Sequence, residues 1–203
     1  AHLFQHNISV KLGRVALNAL DDYAATSKDF AEIVDLKDSA LAATIYERVR
    51  TKLKREPIED FRIDFEDGFG HRPDPEEDAL AIHAAKETAV GIAAKSLPPF
   101  IGIRIKPLSR DLAPRALRTL DLYVSELSET TGGTLPDNFV ITLPKVVRAE
   151  QVETLVNALE ALEQKLGLEE NALAIQIMVE TPQSVSYTHL RAHETDSYLV
   201  CRL

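Results

Sequence analysis

Ile63-Asp64-Phe65-Glu66-Asp67-Gly68-Phe69-Gly70 places three acids within four positions at the end of an apolar strand and follows them with two turn glycines. Along a strand, neighbouring side chains point to opposite faces, which predicts Asp64 and Glu66 on one side and Phe65 and Asp67 on the other. Two carboxylates on one face repel unless a cation, a partner arginine or bound protons offset them. The stretch therefore reads as part of a site.

Working outward, the strand spans Phe61 to Glu66, and three more segments rich in branched and aromatic residues follow: Phe100 to Lys106, Phe139 to Lys145 and Leu173 to Glu180. Helical spacing fills the gaps. After the first strand, Pro75-Glu76-Glu77-Asp78 makes an acidic helix start, and Ile82, Ala85, Ala89 and Ile92 give a buried stripe. Leu117, Leu120, Val124 and Leu127 do the same after the second, ending at Gly132-Gly133. Val152, Leu155, Val156, Leu159, Leu162 and Leu166 follow the third, closed by Gly167. Two further helices are predicted upstream, near Leu12 to Tyr23 and Leu41 to Lys54.

Alternation of this kind calls for parallel strands with helices packed outside. A doubly wound sheet and a (β/α) barrel both satisfy the pattern. The polar residues help to separate them. Each strand ends in charge or proline: Glu66-Asp67, Arg104-Ile105-Lys106-Pro107, Pro144-Lys145 and Glu180-Thr181-Pro182. In a barrel, catalytic groups come from the C-terminal ends of several strands and meet at one mouth. No glycine-rich phosphate loop follows any strand, which counts against a nucleotide-binding doubly wound sheet. The expected fold class is α/β, a partial (β/α)8 barrel of about four parallel strands with outer helices.

The bulk numbers narrow the function classes. With 203 residues, 45% hydrophobic and 27% charged, the chain has the composition of an ordinary globular domain. A formal charge of -9 and a pI near 5.2 argue against a nucleic-acid backbone or an acidic membrane as partner, because both reward a basic surface. Small-molecule chemistry is the better expectation. One cysteine, Cys201, excludes an intramolecular disulfide framework and fits a cytoplasmic protein. No apolar run approaches the roughly 18 residues that span a bilayer.

Among single residues, Arg104 and Lys106 lie two apart on one predicted strand face and could complement Asp64 and Glu66, either as a structural ion-pair network or with Arg104 gripping a substrate carboxylate through its planar fork. Lys145 carries the same two readings. Glu180 closes the apolar run Ala174 to Val179, where a carboxylate is costly unless something positive meets it; a hard divalent cation such as Mg²⁺ suits it. Asp67-Gly68 can also form a tight turn, and His71 in the same loop is a candidate acid or base. His83 reads as a helix-face residue, and Asp21-Asp22 and Glu169-Glu170 as solvated surface charge.

Asp64-Phe65-Glu66-Asp67-Gly68, Gly102-Ile103-Arg104-Ile105, Leu143-Pro144-Lys145-Val146 and Val179-Glu180-Thr181-Pro182, taken in that order and spacing, resemble the HpcH/HpaI aldolase and citrate lyase beta-subunit family, within the phosphoenolpyruvate/pyruvate-binding barrel superfamily. The resemblance covers residues 1 to 185 and looks closest to an uncharacterised aldolase-like branch. It implies a lyase that makes or breaks a carbon-carbon bond next to a carbonyl in a 2-oxo acid or a hydroxyacyl thioester, with Mg²⁺ (or Mn²⁺) as cofactor. Arg104 would bind the substrate carboxylate or oxo oxygen, and Glu180 would be the first protein ligand to the metal. Glu66, Asp67 and Lys145 would be catalytic residues lining the same mouth. The full-length parent is expected to be a homo-oligomer with no nucleic-acid or membrane partner.

The family also supplies a second metal carboxylate, an Asp, after the next strand, and no such strand is legible. Beyond Val185 both periods vanish, and Ser186 to Leu203 resembles a translated sequencing-adapter read-through, so residues 186–203 are expected to be a non-native tail and 1–185 an incomplete barrel. His189, His193, Glu194 and Asp196 are accordingly not taken as ligands. The fragment alone is expected to be inactive, and its open sheet edges to favour self-association. Two rival functions stand beside the lyase: phosphoryl or acyl transfer at a pyruvate-like site, and a non-catalytic barrel subunit whose acids form ion pairs.

Overall fold

All four expected strands form, and helices separate them. The computed structural model describes residues 1–185; the segment 186–203, with the expectation of a foreign tail, lies outside the described residues. Helices α1 (Ile8–Tyr23), α2 (Ser27–Ile33) and α3 (Ser39–Arg55) precede β1 (Asp60–Asp64). Then come α4 (Asp74–Ala94), β2 (Phe100–Arg104), α5 (Ala113–Thr131), β3 (Phe139–Leu143), α6 (Ala149–Leu166) and β4 (Ala174–Ile177). The strands pair in parallel in the order β1-β2-β3-β4. This is the α/β architecture of part of a barrel, a parallel sheet with helices around it.

Helix boundaries follow from local chemistry. The short α2 carries too few residues to show a periodic stripe and was not legible in the pattern; it is set by a capping box in which Thr26 Oγ1 accepts from Asp29 N (3.2 Å) and the Asp29 carboxylate accepts from Thr26 N (3.0 Å). Asp38 caps α3 by accepting from the backbone N–H groups of Ala40 and Leu41. Helices α5 and α6 stop where Gly132 and Gly167 take left-handed backbone angles.

One face of the sheet is apolar. Ile63, Ile101, Ile103, Ile141 and Leu143 are fully enclosed beneath the helices, in one core with Leu120, Val124 and Leu127 of α5 and Leu155 and Leu159 of α6. On α4 the buried line is Ala81, Ala84, Ala85, Thr88 and Ala89, whereas Ile82 and Ile92 sit half-buried at its margins. Small side chains there let α4 approach α5 closely, and Thr88 Oγ1 meets the Tyr123 hydroxyl at 2.7 Å in the contact.

The opposite face is polar. Register places Arg62, Gly102, Val140 and Ala174 in one layer and Asp64, Arg104, Thr142 and Gln176 in the layer above it. Strand β4 is an outer strand, and Ile177 and Val179 at its end are 36% and 49% exposed.

Every strand stops before its predicted end. The expected runs through Glu66, Lys106, Lys145 and Glu180 finish at Asp64, Arg104, Leu143 and Ile177, which leaves Arg104 as the last residue of β2 and moves Glu66, Asp67, Lys145 and Glu180 onto the loops after the strands. On β1 the cause is Asp64, whose carboxylate accepts from Glu66 N and Gly68 N, both at 2.9 Å, and so turns the chain. Asp67 consequently comes round to the polar side with Glu66 instead of following Phe65 to the core.

Candidate active site at the strand ends

Arg104 and Asp64 form the centre. Arg104 Nε and Nη2 donate to Asp64 Oδ1 and Oδ2, each at 2.7 Å, a bidentate pair between neighbouring strands. Burial pushes the Asp64 carboxyl up, but the Arg104 guanidinium and the two backbone donors outweigh it and hold the group below the usual carboxylate range. The same pairing raises Arg104. Gly68 leaves room for this turn, since a β-carbon at that position would lie 2.7 Å from Asp64 Oδ2 and the carboxylate would have to shift. The fork expected for a substrate carboxylate is thus already filled. What remains is Nη1, which lies 3.7 Å from Glu66 Oε2 and 4.0 Å from Met178 Sδ.

Lys145 ties the other strand ends together. Its ammonium donates to Glu66 Oε1 and, at 2.7 Å, to Asp67 Oδ1, while its backbone N–H donates to Glu180 Oε1 at 2.8 Å. To do both, the residue adopts φ +50°, a left-handed conformation uncommon outside glycine and a form of local strain that collects at functional sites. Hydrogen bonds to Asp67 and Glu66 raise the Lys145 pKa, and the bond from Lys145 lowers that of Asp67. Glu66 is 95% enclosed by the 5% exposure of its side chain, yet its Oε2 has no hydrogen-bond partner. A buried carboxylate oxygen left in this state is costly and marks a place where a donor can be received.

The structure therefore brings Glu66, Asp67, Arg104, Lys145 and Glu180 to one mouth, from the ends of all four strands. Lys106 departs from expectation. Instead of joining Arg104 on the polar side, it turns under the helices, where its ammonium donates to Glu77 Oε2 and to the Phe65 carbonyl, both at 2.8 Å, and lies 5.1 Å over the Phe69 ring. Glu77, read in the sequence as part of an acidic helix start, is almost fully buried; it also accepts from Thr119 Oγ1 at 2.6 Å and faces Arg115 at 3.4 Å. This network fixes the backbone at Phe65, immediately before Glu66. His71 and His83 are exposed and outside the mouth.

Three functional candidates were not recognised from sequence. Arg62 Nε donates to Thr142 Oγ1 and Gln176 Oε1, both at 3.0 Å, and Thr142 Oγ1 meets Gln176 Oε1 at 2.8 Å. Arg62 can reach across β2 because Gly102 has no side chain there. Even a β-carbon at 102 would overlap the Val140 carbonyl oxygen. The available signal was polarity inside apolar runs: Gln176 stands between Ile175 and Ile177, and Thr142 between Ile141 and Leu143.

Among the described residues no group of three or more His, Cys, Asp or Glu forms a ready-made metal cage. No helix among them is long and apolar enough to cross a membrane. A family model described as a domain of unknown function, DUF6986, matches residues 1–193. The chain belongs to the DUF6986 family. Searches of curated proteins and of solved structures returned no match. For this DUF6986 member, the chemistry must accordingly be read from the mouth itself, where Glu66, paired with Lys145 through Oε1, keeps its Oε2 buried without a hydrogen bond and 3.7 Å from Arg104 Nη1.

Proposed function

We propose that the complete barrel is a Mg²⁺-dependent carbon-carbon lyase of the HpcH/HpaI aldolase and citrate lyase beta-subunit type, acting on a 2-oxo acid or a hydroxyacyl thioester. The observation that carries the reading is Glu66 Oε2, buried without a hydrogen bond and 3.7 Å from the one Arg104 nitrogen that Asp64 does not bind. An acceptor and a cationic donor side by side suit a substrate that carries a hydroxyl next to an oxo or carboxylate oxygen. Residues 1–185 supply one side of that mouth.

The donor set fits a hard cation. Glu180 uses one oxygen for Lys145 N–H and makes no hydrogen bond with the other among the described residues, and Mg²⁺ is commonly held by one or two carboxylates with water completing the shell. When bound, the cation would draw negative charge from the reacting oxo oxygen. Arg104 Nη1 would orient the substrate oxygen, while Asp64 keeps the guanidinium plane fixed. Glu66 Oε2 would accept the hydroxyl proton as the carbon-carbon bond breaks. Lys145, paired with two carboxylates, stays an ammonium and holds Glu66 and Asp67 in place; its role is charge compensation rather than proton abstraction.

The internal ion pairs favour a second reading, a non-catalytic barrel whose acids are satisfied by Arg104 and Lys145. Incubating the full-length protein with Mg²⁺ and a panel of hydroxy-oxo acids separates them. Release of pyruvate or glyoxylate, lost in Glu66→Gln, supports the lyase. Turnover of phosphoenolpyruvate or a nucleotide alone would indicate transfer, and silence throughout the non-catalytic subunit.

A further inference from the structure

We infer that the side-chain amide of Gln176 is a substrate-carboxylate donor, aimed by Arg62 and Thr142 and acting beside Arg104 Nη1. The inference rests on the lyase reading of the mouth and adds a residue to it.

Proton accounting fixes the amide. Arg62 Nε carries one hydrogen and can only donate, so its partner on Gln176 must be the carbonyl oxygen, as placed at 3.0 Å. Thr142 Oγ1 also accepts from Arg62 Nε, so its own hydrogen is the one that points to Gln176 Oε1, at 2.8 Å. With the oxygen committed twice, the orientation ambiguity usual for a glutamine disappears. The amide nitrogen is left with two hydrogens and no hydrogen-bond partner among the described residues. Arg62 is itself held by Asp60, whose carboxylate accepts from Nη1 and, at 3.2 Å, from Nη2.

Position makes that nitrogen useful. Gln176 occupies the same layer as Asp64, Arg104 and Thr142, and Met178, two residues on and just past the end of β4, approaches Arg104 Nη1 at 4.0 Å. Arg104 has surrendered its Nε and Nη2 edge to Asp64, so it offers a carboxylate one nitrogen instead of a fork. A planar carboxylate has two oxygens and needs a second donor for the other. Gln176 supplies an uncharged one, which adds no charge to the Asp64-Arg104 balance. Gly102 is part of the arrangement, because even a β-carbon there would overlap the Val140 carbonyl oxygen on the strand that Arg62 crosses.

Titrating pyruvate, with methyl pyruvate as the control lacking the carboxylate charge, into ¹⁵N-labelled full chain tests this by NMR. The Gln176 side-chain NH₂ pair should shift with pyruvate and not with methyl pyruvate. Gln176→Leu should weaken pyruvate about ten- to hundred-fold, the range for a hydrogen bond to a charged acceptor, and leave methyl pyruvate within about twofold. Arg62→Lys, which keeps the charge but lacks Nε, should reduce the pyruvate preference over the ester in the same direction, an effect that general loosening of the fold would not confine to the acid. Pyruvate binding that leaves the Gln176 NH₂ signals unmoved, or equal losses for acid and ester, would overturn the role of Gln176 alone. Absence of any pyruvate-dependent shift in the wild type would overturn the lyase mouth and this role together.

Discussion

Replacing Lys106 with Met tests whether a buried ion pair behind the mouth organises the loop that carries Glu66. The Lys106 and Glu77 side chains are 8% and 1% exposed, so water does not take over when one charge is removed. Loss of one member of such a pair costs about 3–5 kcal/mol, most of it from the charge left behind. In a domain of this size each kcal/mol lowers Tm by about 2–4 °C, so Lys106→Met should fall by about 6–20 °C by calorimetry or circular dichroism. Removing the Glu77 charge as well, in Lys106→Met/Glu77→Gln, should recover part of the loss: Arg115, 3.4 Å from Glu77, offsets only some of that charge in the single variant, Thr119 still bonds position 77 in the double, and Arg115 keeps its contact with Asp78. The variant should also speed amide exchange in residues 65–70, because Lys106 no longer holds the Phe65 carbonyl. A drop below about 3 °C, or a double variant no better than the single, would refute this account of the network.

Other outcomes follow from the same geometry. Asp64 has a folded pKa below its unfolded value near 3.9; its contribution is complete above that value and disappears as pH falls through the folded pKa. Arg104→Met removes the largest lowering cause, so its acid-unfolding midpoint, followed by circular dichroism between about pH 2 and 5, should move upward. Gly102→Ala puts a β-carbon into the Val140 carbonyl and should destabilise by about 3 kcal/mol or more in urea titration, with the Arg62 to Gln176 bridge broken. Ile177→Lys with Val179→Lys should shift the chain toward monomer in size-exclusion chromatography, because both apolar side chains lie exposed at the end of an outer strand.

The fold was largely legible because strand and helix periods are clean after residue 60, and because charge sits at strand ends rather than scattered among the strands. What failed to show were features set by single hydrogen bonds. Alternation placed Asp67 opposite Glu66, but Asp64 captures two backbone N–H groups and turns the chain after one further residue. Lys106 read as lying on the same face as Arg104, but the buried Glu77 and the Phe65 carbonyl hold it behind the sheet, and nothing in residue spacing signals that a helix-start glutamate is enclosed. Of the two readings of Arg104, the ion pair with Asp64 on the neighbouring strand is the one that forms, and it occupies the Nε and Nη2 edge; that the pair would be bidentate was not readable from spacing. Gln176 was overlooked because one amide in an apolar run carries no periodic signal, and its importance depends on a glycine two strands away.

The most direct measurement is the melting temperature of the full-length protein titrated with Mg²⁺, alongside Glu180→Gln. If Glu180 and the mouth hold a divalent cation, saturation at about a hundred times Kd adds about 2.7 kcal/mol, a rise of roughly 5–10 °C that Glu180→Gln removes while its metal-free Tm stays near that of the wild type. Identical melting curves with and without Mg²⁺ or Mn²⁺, or a rise that survives Glu180→Gln, would contradict a metal-assisted lyase at these strand ends.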